Sequence, residues 1–144
     1  MTFTAIWPTY DGNPDGGERM AVSTPGDVDA LVAKLNSTTS GAAMITHDGR
    51  QAAPITEASF GPIDAPTPDH LLTAGVSDGY GYLTYVDPAH EMSPPLGSSS
   101  SPAYISDYAE YPPGSGVPIE VLAAALKEFL LTAQRPSCVQ WQDA

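Results

Sequence analysis

Two β-strand patterns joined by a short polar turn lie near the middle of this 144-residue sequence. Residues 70–76 form the first pattern, Ser77, Asp78 and Gly79 form the turn, and residues 80–86 (YGYLTYV) form the second. An Asp-Gly pair between two strand patterns indicates a hairpin, because Asp and Gly accept the positive φ values that such a turn requires. The strands of a hairpin run antiparallel, so the sequence predicts an antiparallel sheet built around this pair.

Six further segments have the β-branched and aromatic composition of strands. They occupy residues 3–7, 18–23, 42–47, 55–60, 103–111 and 137–142. Residues 87–102 separate two of the strand patterns and contain four consecutive serines and four prolines, which is typical of a mobile loop. Strand patterns therefore follow one another along most of the chain.

Two segments have the periodicity of helices. The first begins at Thr24 and Pro25, which suit a cap and a first helical position. Its apolar residues are Val28, Leu31, Val32 and Leu35. The second begins at Pro118, and its apolar residues are Leu122, Ala125, Leu126, Phe129 and Leu130. We therefore predict an α+β fold, a mostly antiparallel β-sheet with two helices packed on one face, and a single domain over residues 1–144.

The balance of charge limits the partners of the protein. The chain has five Lys and Arg residues and seventeen Asp and Glu, which gives a net charge of −12 at pH 7, and no Lys or Arg lies between Arg50 and Lys127. Binding to nucleic acid or to an anionic membrane requires a basic face, so this composition excludes both as direct partners. No apolar run approaches the roughly 20 residues of a membrane span, and the N-terminus lacks the pattern of a signal peptide. We expect a cytoplasmic protein.

Two features only partly match known metal or thiol sites. Asp11, Asn13 and Asp15 follow the first half of a calcium-binding loop, but Val22 stands where such a loop needs a glutamate. Cys138 lies in the predicted last strand, where a lone cysteine is more often a small buried hydrophobe than a reactive thiolate. We expect neither a metal nor a cofactor.

Each of the three histidines adjoins an acid, in the pairs His47-Asp48, Asp69-His70 and His90-Glu91. Such pairs could supply metal ligands or an acid–base couple. Adjacent residues on a strand point to opposite faces of the sheet, however, so the two members of a pair do not converge. No nucleophile elbow, phosphate loop or dinucleotide fingerprint accompanies them.

Six tyrosines on two predicted strands form a more distinctive group. They are Tyr80, Tyr82, Tyr85, Tyr104, Tyr108 and Tyr111. The acids that alternate with them are Asp78, Asp87, Asp107 and Glu110. Tyrosine is favoured at protein interfaces, and neighbouring acids would complement Lys and Arg on a partner. Tyrosine is also a favoured strand residue, so the alternative in which half of the six face the core stays open.

Four motifs in the C-terminal half occur in a recognisable order. They are GYLTY at residues 81–85, YPPGSGVP at 111–118, ALKEFLLT at 125–132 and RPSCVQW at 135–141. This succession resembles the first-numbered immunity protein family of bacterial polymorphic toxin systems over residues 70–142, while the earlier half matches in layout only. The family's second helix usually ends in Thr-Gly-x-Arg-Pro, whereas this chain has Ala133 at the glycine position.

The resemblance implies a protein that binds and neutralises a toxin encoded by the neighbouring gene, in a 1:1 complex and without catalysis. Deaminase-fold toxins that act on nucleic acids are frequent neighbours in these systems, and such an enzyme needs a basic groove for its substrate. An acidic protein could cover that groove. The family's recurrent residues here, Gly81, Leu83, Pro113, Phe129, Arg135 and Trp141, are expected to be structural.

The acidic middle section is therefore the expected toxin-binding surface. Its residues are Asp78, Tyr80, Tyr82, Asp87, Glu91, Tyr104, Asp107, Tyr108 and Glu110. Residues 10–17 and 87–102 compete with them as binding loops. Two other functions remain open at this point, a small metal-dependent or histidine-dependent enzyme and an acidic adaptor that has no toxin partner.

Overall fold

A computed structural model describes residues 2–9, 17–37, 40–49, 69–106 and 109–142 of the chain. The strands in these ranges are β1 (Phe3–Pro8), β2 (Gly17–Val22), β3 (Ala43–His47), β4 (Leu71–Ser77), β5 (Tyr80–Asp87), β6 (His90–Ser93), β7 (Tyr104–Ile105), β8 (Glu110–Tyr111) and β9 (Val117–Pro118). The helices are α1 (Pro25–Leu35) and α2 (Ile119–Thr132). The predicted α+β class is confirmed.

Among the described residues, seven strands form one sheet in the order β2-β1-β3-β4-β5-β6, with β9 also paired to β5. All of these pairings are antiparallel. Strands β4 and β5 form the predicted hairpin, and its turn residues Asp78 and Gly79 have φ values of 56° and 83°. This hairpin has the clearest strand pattern because both of its strands have neighbours on each side and bury most of their residues.

Both helices pack on the same face of the sheet, where the larger hydrophobic core lies. Alternate residues of the strands point into this core, among them Phe3 of β1 and Leu83 of β5, and they meet the buried faces of α1 and α2. Gly81 of β5 allows α2 to come close, because a Cβ atom at this position would lie 2.6 Å from the Cβ of Leu122. The structural role expected for Gly81 follows from this contact.

The other face of the sheet carries a smaller core of aromatic side chains. Tyr82 projects from β5 and meets Tyr104 of β7 and Tyr111 of β8, with ring centroids 5.4 Å apart in both contacts. We call these three residues the tyrosine cluster, and we call the β7–β8 pair the small hairpin. Gly75 of β4 makes room for the small hairpin, because a Cβ atom there would lie 2.8 Å from the Tyr104 ring.

Side chains cap the start of α1, whereas α2 ends on a residue in the left-handed region. The Thr24 side chain accepts a hydrogen bond from the Asp27 backbone, and the Asp27 carboxylate accepts one from the Thr24 backbone, which completes a capping box on α1. A further hydrogen bond from the Ser23 backbone lowers the pKa of Asp27 below its ordinary value. Helix α2 ends on Ala133 in the left-handed region (φ 56°), a conformation that favours glycine.

The interpretation of residues 87–102 as a mobile loop is wrong in part. Residues 90–93 form strand β6, which pairs with β5. The serine run is tied to the turn at residues 112–116 by backbone hydrogen bonds, from Ser98 to Gly116 (2.7 Å) and from Gly114 to Ser101 (3.0 Å). The composition gave no sign of these bonds, because their partners lie more than ten residues away in the sequence.

Two predicted strands are also corrected. Residues 103–111 do not form one strand, since β7 and β8 pair with each other as a hairpin. Residues 137–142 form only an isolated bridge between Trp141 and Pro95, flanked by backbone hydrogen bonds from Leu96 and Gln142. Proline has no N–H group, so Pro94 and Pro95 cannot extend this bridge into a ladder.

Some sequence predictions lie outside the described residues. These are the loop with Asp11, Asn13 and Asp15, and the short strand near residues 55–60. Within the described ranges, no helix is long and apolar enough to span a bilayer.

Candidate interaction surface

The residues expected to bind a toxin fall mainly at two opposite ends of strand β5. Eight residues make up this strand, so its ends lie roughly 23 Å apart. One end, the Asp78 end, holds Asp78, Tyr80, Tyr104 and Glu110, and the other, the Asp87 end, holds Asp87 and Glu91. Asp107 and Tyr108 lie outside the described residues. Residues that were predicted to form one binding surface therefore belong to two separate surfaces.

A groove of about 370 Å³ opens at the Asp78 end. The residues that line it are Asn36, Ser37, Ser40, Val76, Ser77, Asp78, Tyr104, Ile105 and Ser106. They come from the C-terminal end of α1, the turn between β4 and β5, and the small hairpin. The Ser106 hydroxyl accepts a hydrogen bond from the Ala42 backbone (2.9 Å), which ties the small hairpin to the start of β3.

The small hairpin has one buried face and one exposed face. Tyr104 lies opposite Tyr111, and the two rings stack at 5.5 Å over the sheet. The neighbouring pair, Ile105 opposite Glu110, points the other way, because side chains alternate along a strand. Ile105 is 73% exposed, more than any other large hydrophobic side chain in the described part of the chain. An apolar residue and an acid thus stand side by side beside the groove.

The Asp87 carboxylate is occupied by hydrogen bonds to residues of its own strand and turn. Its carboxylate accepts hydrogen bonds from the Tyr85 hydroxyl (2.7 Å), the Ala89 backbone (2.9 Å) and the His90 ring (2.8 Å). Although burial opposes ionisation, these hydrogen bonds together lower the pKa of Asp87 to about 2. The side chain is only 4% exposed, so Asp87 shapes the turn into β6 and offers little surface to a partner.

The tyrosines divide between core and surface. Tyr82, Tyr85 and Tyr111 are buried, whereas Tyr80 and Tyr104 are partly exposed. Burial is the main reason that the pKa of Tyr82 lies above its ordinary value, and the nearby Asp78 adds to the effect. Since its side chain is fully buried and its hydroxyl donates to the Pro102 carbonyl (2.7 Å), Tyr82 supports the surface from below instead of belonging to it.

Two of the histidines are structural. The His70 Nε2 atom accepts a hydrogen bond from the His47 backbone (2.7 Å), so its Nδ1 atom holds the proton and donates to Asp69 (3.0 Å). His47 accepts from the Gly49 backbone (2.9 Å) and donates to the Leu130 carbonyl (2.8 Å). Both rings pack against Phe129 in the core. Replacing them would test stability and would reveal little about catalysis.

Metal binding and the Cys138 thiol are the remaining candidates for chemistry. Among the described residues, no group of three or more His, Cys, Asp or Glu side chains could hold a metal ion. The prediction that Cys138 is buried is wrong, because the residue is exposed in the segment after α2. Partial desolvation and the nearby Glu128 raise the pKa of this thiol.

Ile105 was missed in the sequence because its orientation depends on a turn that the sequence pattern hides. In one continuous strand over residues 103–111, Tyr104 and Tyr111 would point to opposite faces. The hairpin reverses the chain between them and brings both rings to the inner face, which leaves Ile105 outside with Glu110. The alternating pattern of this segment does not distinguish the two arrangements.

Comparison with known proteins adds one finding. The family model described as Immunity protein Imm1 matches residues 16–143 of the chain. The match begins before β2, so it includes β2, α1 and β3 as well as the C-terminal motifs, while β1 lies outside it. A search of curated proteins finds no match.

Proposed function

Because this chain belongs to the Imm1 family of immunity proteins, we propose that it binds a cognate toxin in a 1:1 complex and blocks the toxin's active site. The toxin we infer is a deaminase that acts on nucleic acid. The protein acts in the cytoplasm as an inhibitor and performs no catalysis itself. The family match over residues 16–143 is the observation that carries this proposal.

The charge of the chain supports the choice of toxin. A deaminase that takes a base from single-stranded nucleic acid needs a basic groove for the backbone and a pocket for the base. With a net charge of −12, this chain is complementary to such a groove. Opposite charges accelerate encounter, which protects the cell that makes both proteins from the toxin in its free form.

The histidines give no support to the enzyme alternative. His47 and His70 are buried with all four ring nitrogens in hydrogen bonds, and His90 shares the Asp87 carboxylate with a tyrosine. These contacts are those of side chains that stabilise a fold. The exposed acids Asp78, Glu91 and Glu110 are better suited to a basic protein partner than to a substrate.

Co-expression with the product of the neighbouring gene tests the proposal. We expect the toxin alone to stop growth and to raise mutation or base conversion in nucleic acid, and we expect this chain to restore growth and to co-purify with the toxin. The association rate should fall by at least tenfold between low and high salt. Growth arrest that persists despite full expression of this chain, with no complex on a sizing column, would contradict the proposal.

A further inference from the structure

We propose that the groove at the Asp78 end is the docking site, and that it receives a basic side chain of the toxin with an apolar neighbour packed on Ile105. This inference rests on the proposed function and specifies the surface and the chemistry of contact. The surface comprises Asp78, Ile105 and Glu110, and we call it the groove surface. Tyr104 and Val76 form part of the lining behind it.

The small hairpin is amphipathic. Its inner face is fixed by the tyrosine cluster, and the Tyr111 hydroxyl donates to Thr73 of β4 (2.9 Å). Its outer face presents a 73% exposed Ile105 directly opposite Glu110. A rigid base below and an exposed apolar residue above is the arrangement of an interface anchor, because little conformational entropy is lost on binding.

The groove surface is also negatively charged. Asp78 and Glu110 are exposed, and neither side chain forms an ion pair with another described residue. Among the described residues that line the groove, Asp78 alone carries a charged side chain. The groove also meets the C-terminal end of α1, where the helix dipole is negative. Lys34 in the last turn of α1 offsets part of this dipole, so the favourable potential for a Lys or Arg of the partner comes mainly from Asp78 and Glu110.

The opposite end of β5 has similar residue types without this arrangement. Glu91 and Met92 are both exposed, and Met92 has 53% of its surface accessible. They lie where the register between β5 and β6 shifts, so the regular alternation of faces is interrupted there, and neither of them lines the groove at the Asp78 end. The acid beside them, Asp87, is held by three hydrogen bonds.

Two double variants with the same changes of residue type test the proposal. The groove variant is Glu110→Lys with Ile105→Asp, and the control variant is Glu91→Lys with Met92→Asp. Each would be purified, checked for an unchanged melting curve, and titrated against the isolated domain of the toxin from the neighbouring gene by surface plasmon resonance. We expect the groove variant to bind at least 100-fold more weakly, and the control variant to stay within threefold of the wild-type chain.

Asp78→Asn provides a second measurement that does not depend on the small hairpin. It should lower the association rate at low salt and leave the melting curve unchanged. If the wild-type chain binds but the groove variant binds equally well, the docking site is overturned while the proposed function stands. The same conclusion follows if only the control variant is impaired. If the wild-type chain itself does not bind the toxin domain, both the function and the docking site are overturned.

Discussion

Strand β5 has an aspartate near each end, Asp78 in the turn before it and Asp87 as its last residue. The two aspartates have different roles. Asp78 occupies the turn before the strand, where a positive φ is its structural contribution and its carboxylate faces solvent. Asp87 closes the strand, and its carboxylate accepts hydrogen bonds from Tyr85, Ala89 and His90. In the sequence both are acids that flank one tyrosine-rich strand, so composition gives them equal weight.

The contrast shows what makes an acidic residue available to a partner. A carboxylate that accepts three hydrogen bonds in its own protein would lose them, or share them, in a new contact. An exposed carboxylate on a rigid turn has no such competition. Net charge therefore attracts a basic partner, but the local hydrogen bonding decides which acids can contact it.

The largest effect should come from the tyrosine cluster that supports the Asp78 end. Tyr111→Ala removes a buried ring from contact with Tyr82 and Tyr104 and a hydrogen bond to Thr73. We expect the free energy of unfolding to fall by about 3–5 kcal/mol, measured by urea denaturation. Tyr111→Phe keeps the ring and should cost about 1 kcal/mol. Equal losses for both variants would mean that the ring is not a packing element.

The Asp87 end should respond to pH. Because hydrogen bonds lower the pKa of Asp87 to about 2 in the folded chain, against about 3.9 when unfolded, its ionised form stabilises the fold above pH 4. That contribution, about 2 kcal/mol, should disappear as the pH falls from 4 towards 2. Asp87→Asn should lower stability at pH 7 by a similar amount and remove this part of the acid sensitivity.

Urea denaturation at pH 7 and at pH 3 would measure both effects of Asp87→Asn. The exposed Glu91→Gln serves as the control and should change stability by less than about 0.5 kcal/mol. If Asp87→Asn leaves both stability and acid sensitivity unchanged, the difference between the two ends of β5 would not hold.

A smaller effect is expected at the Asp78 end, and it should appear in binding alone. Asparagine adopts the left-handed conformation about as readily as aspartate, so Asp78→Asn should keep the turn and change stability by less than about 0.5 kcal/mol. Loss of the charge should slow association with the toxin about threefold at low salt and less at high salt. Stopped-flow measurements at two salt concentrations would separate this result from a loss of folding.

The smallest effect concerns the end of α2, on the side of the molecule away from the groove surface. Ala133 has a φ of 56°, a strained value for alanine, so Ala133→Gly should relieve strain. The lost methyl contact and the freer unfolded chain offset part of this gain, which leaves about 0.5 kcal/mol of stabilisation. Thermal denaturation would detect it, and toxin binding should be unchanged. A lower melting temperature would show that the buried methyl group matters more than the strain.

Local patterns were sufficient for the elements with regular periodicity. The capping residues and the apolar spacing of Val28, Leu31, Val32 and Leu35 located α1, and the Asp-Gly turn located the central hairpin. The sequence was less informative between residue 87 and the start of α2. There the elements are short and depend on distant partners, as in the bonds that tie Ser98 and Ser101 to the turn at residues 112–116.

The structure divides the residues that the sequence proposed as a toxin-binding surface, and their contact with a toxin stays a prediction. Asp78 and Tyr104 line one groove, Tyr80 is the first residue of β5, and Glu110 pairs with the groove residue Ile105. Tyr82 is buried beneath them and Asp87 lies at the far end of the strand. Alternation along a strand assigns faces correctly within one strand, but it cannot show which face a second layer covers.

The sequence by itself determined the antiparallel hairpin, the two amphipathic helices, the net charge of −12 and the membership of the immunity protein family. These depend on local spacing, composition and ordered motifs, which lie along the chain and do not depend on tertiary contacts. Only the tertiary structure decided which tyrosines are core and which acids are available. That decision depends on the reversal between β7 and β8, which turns Tyr104 and Tyr111 inwards and leaves Ile105 and Glu110 exposed.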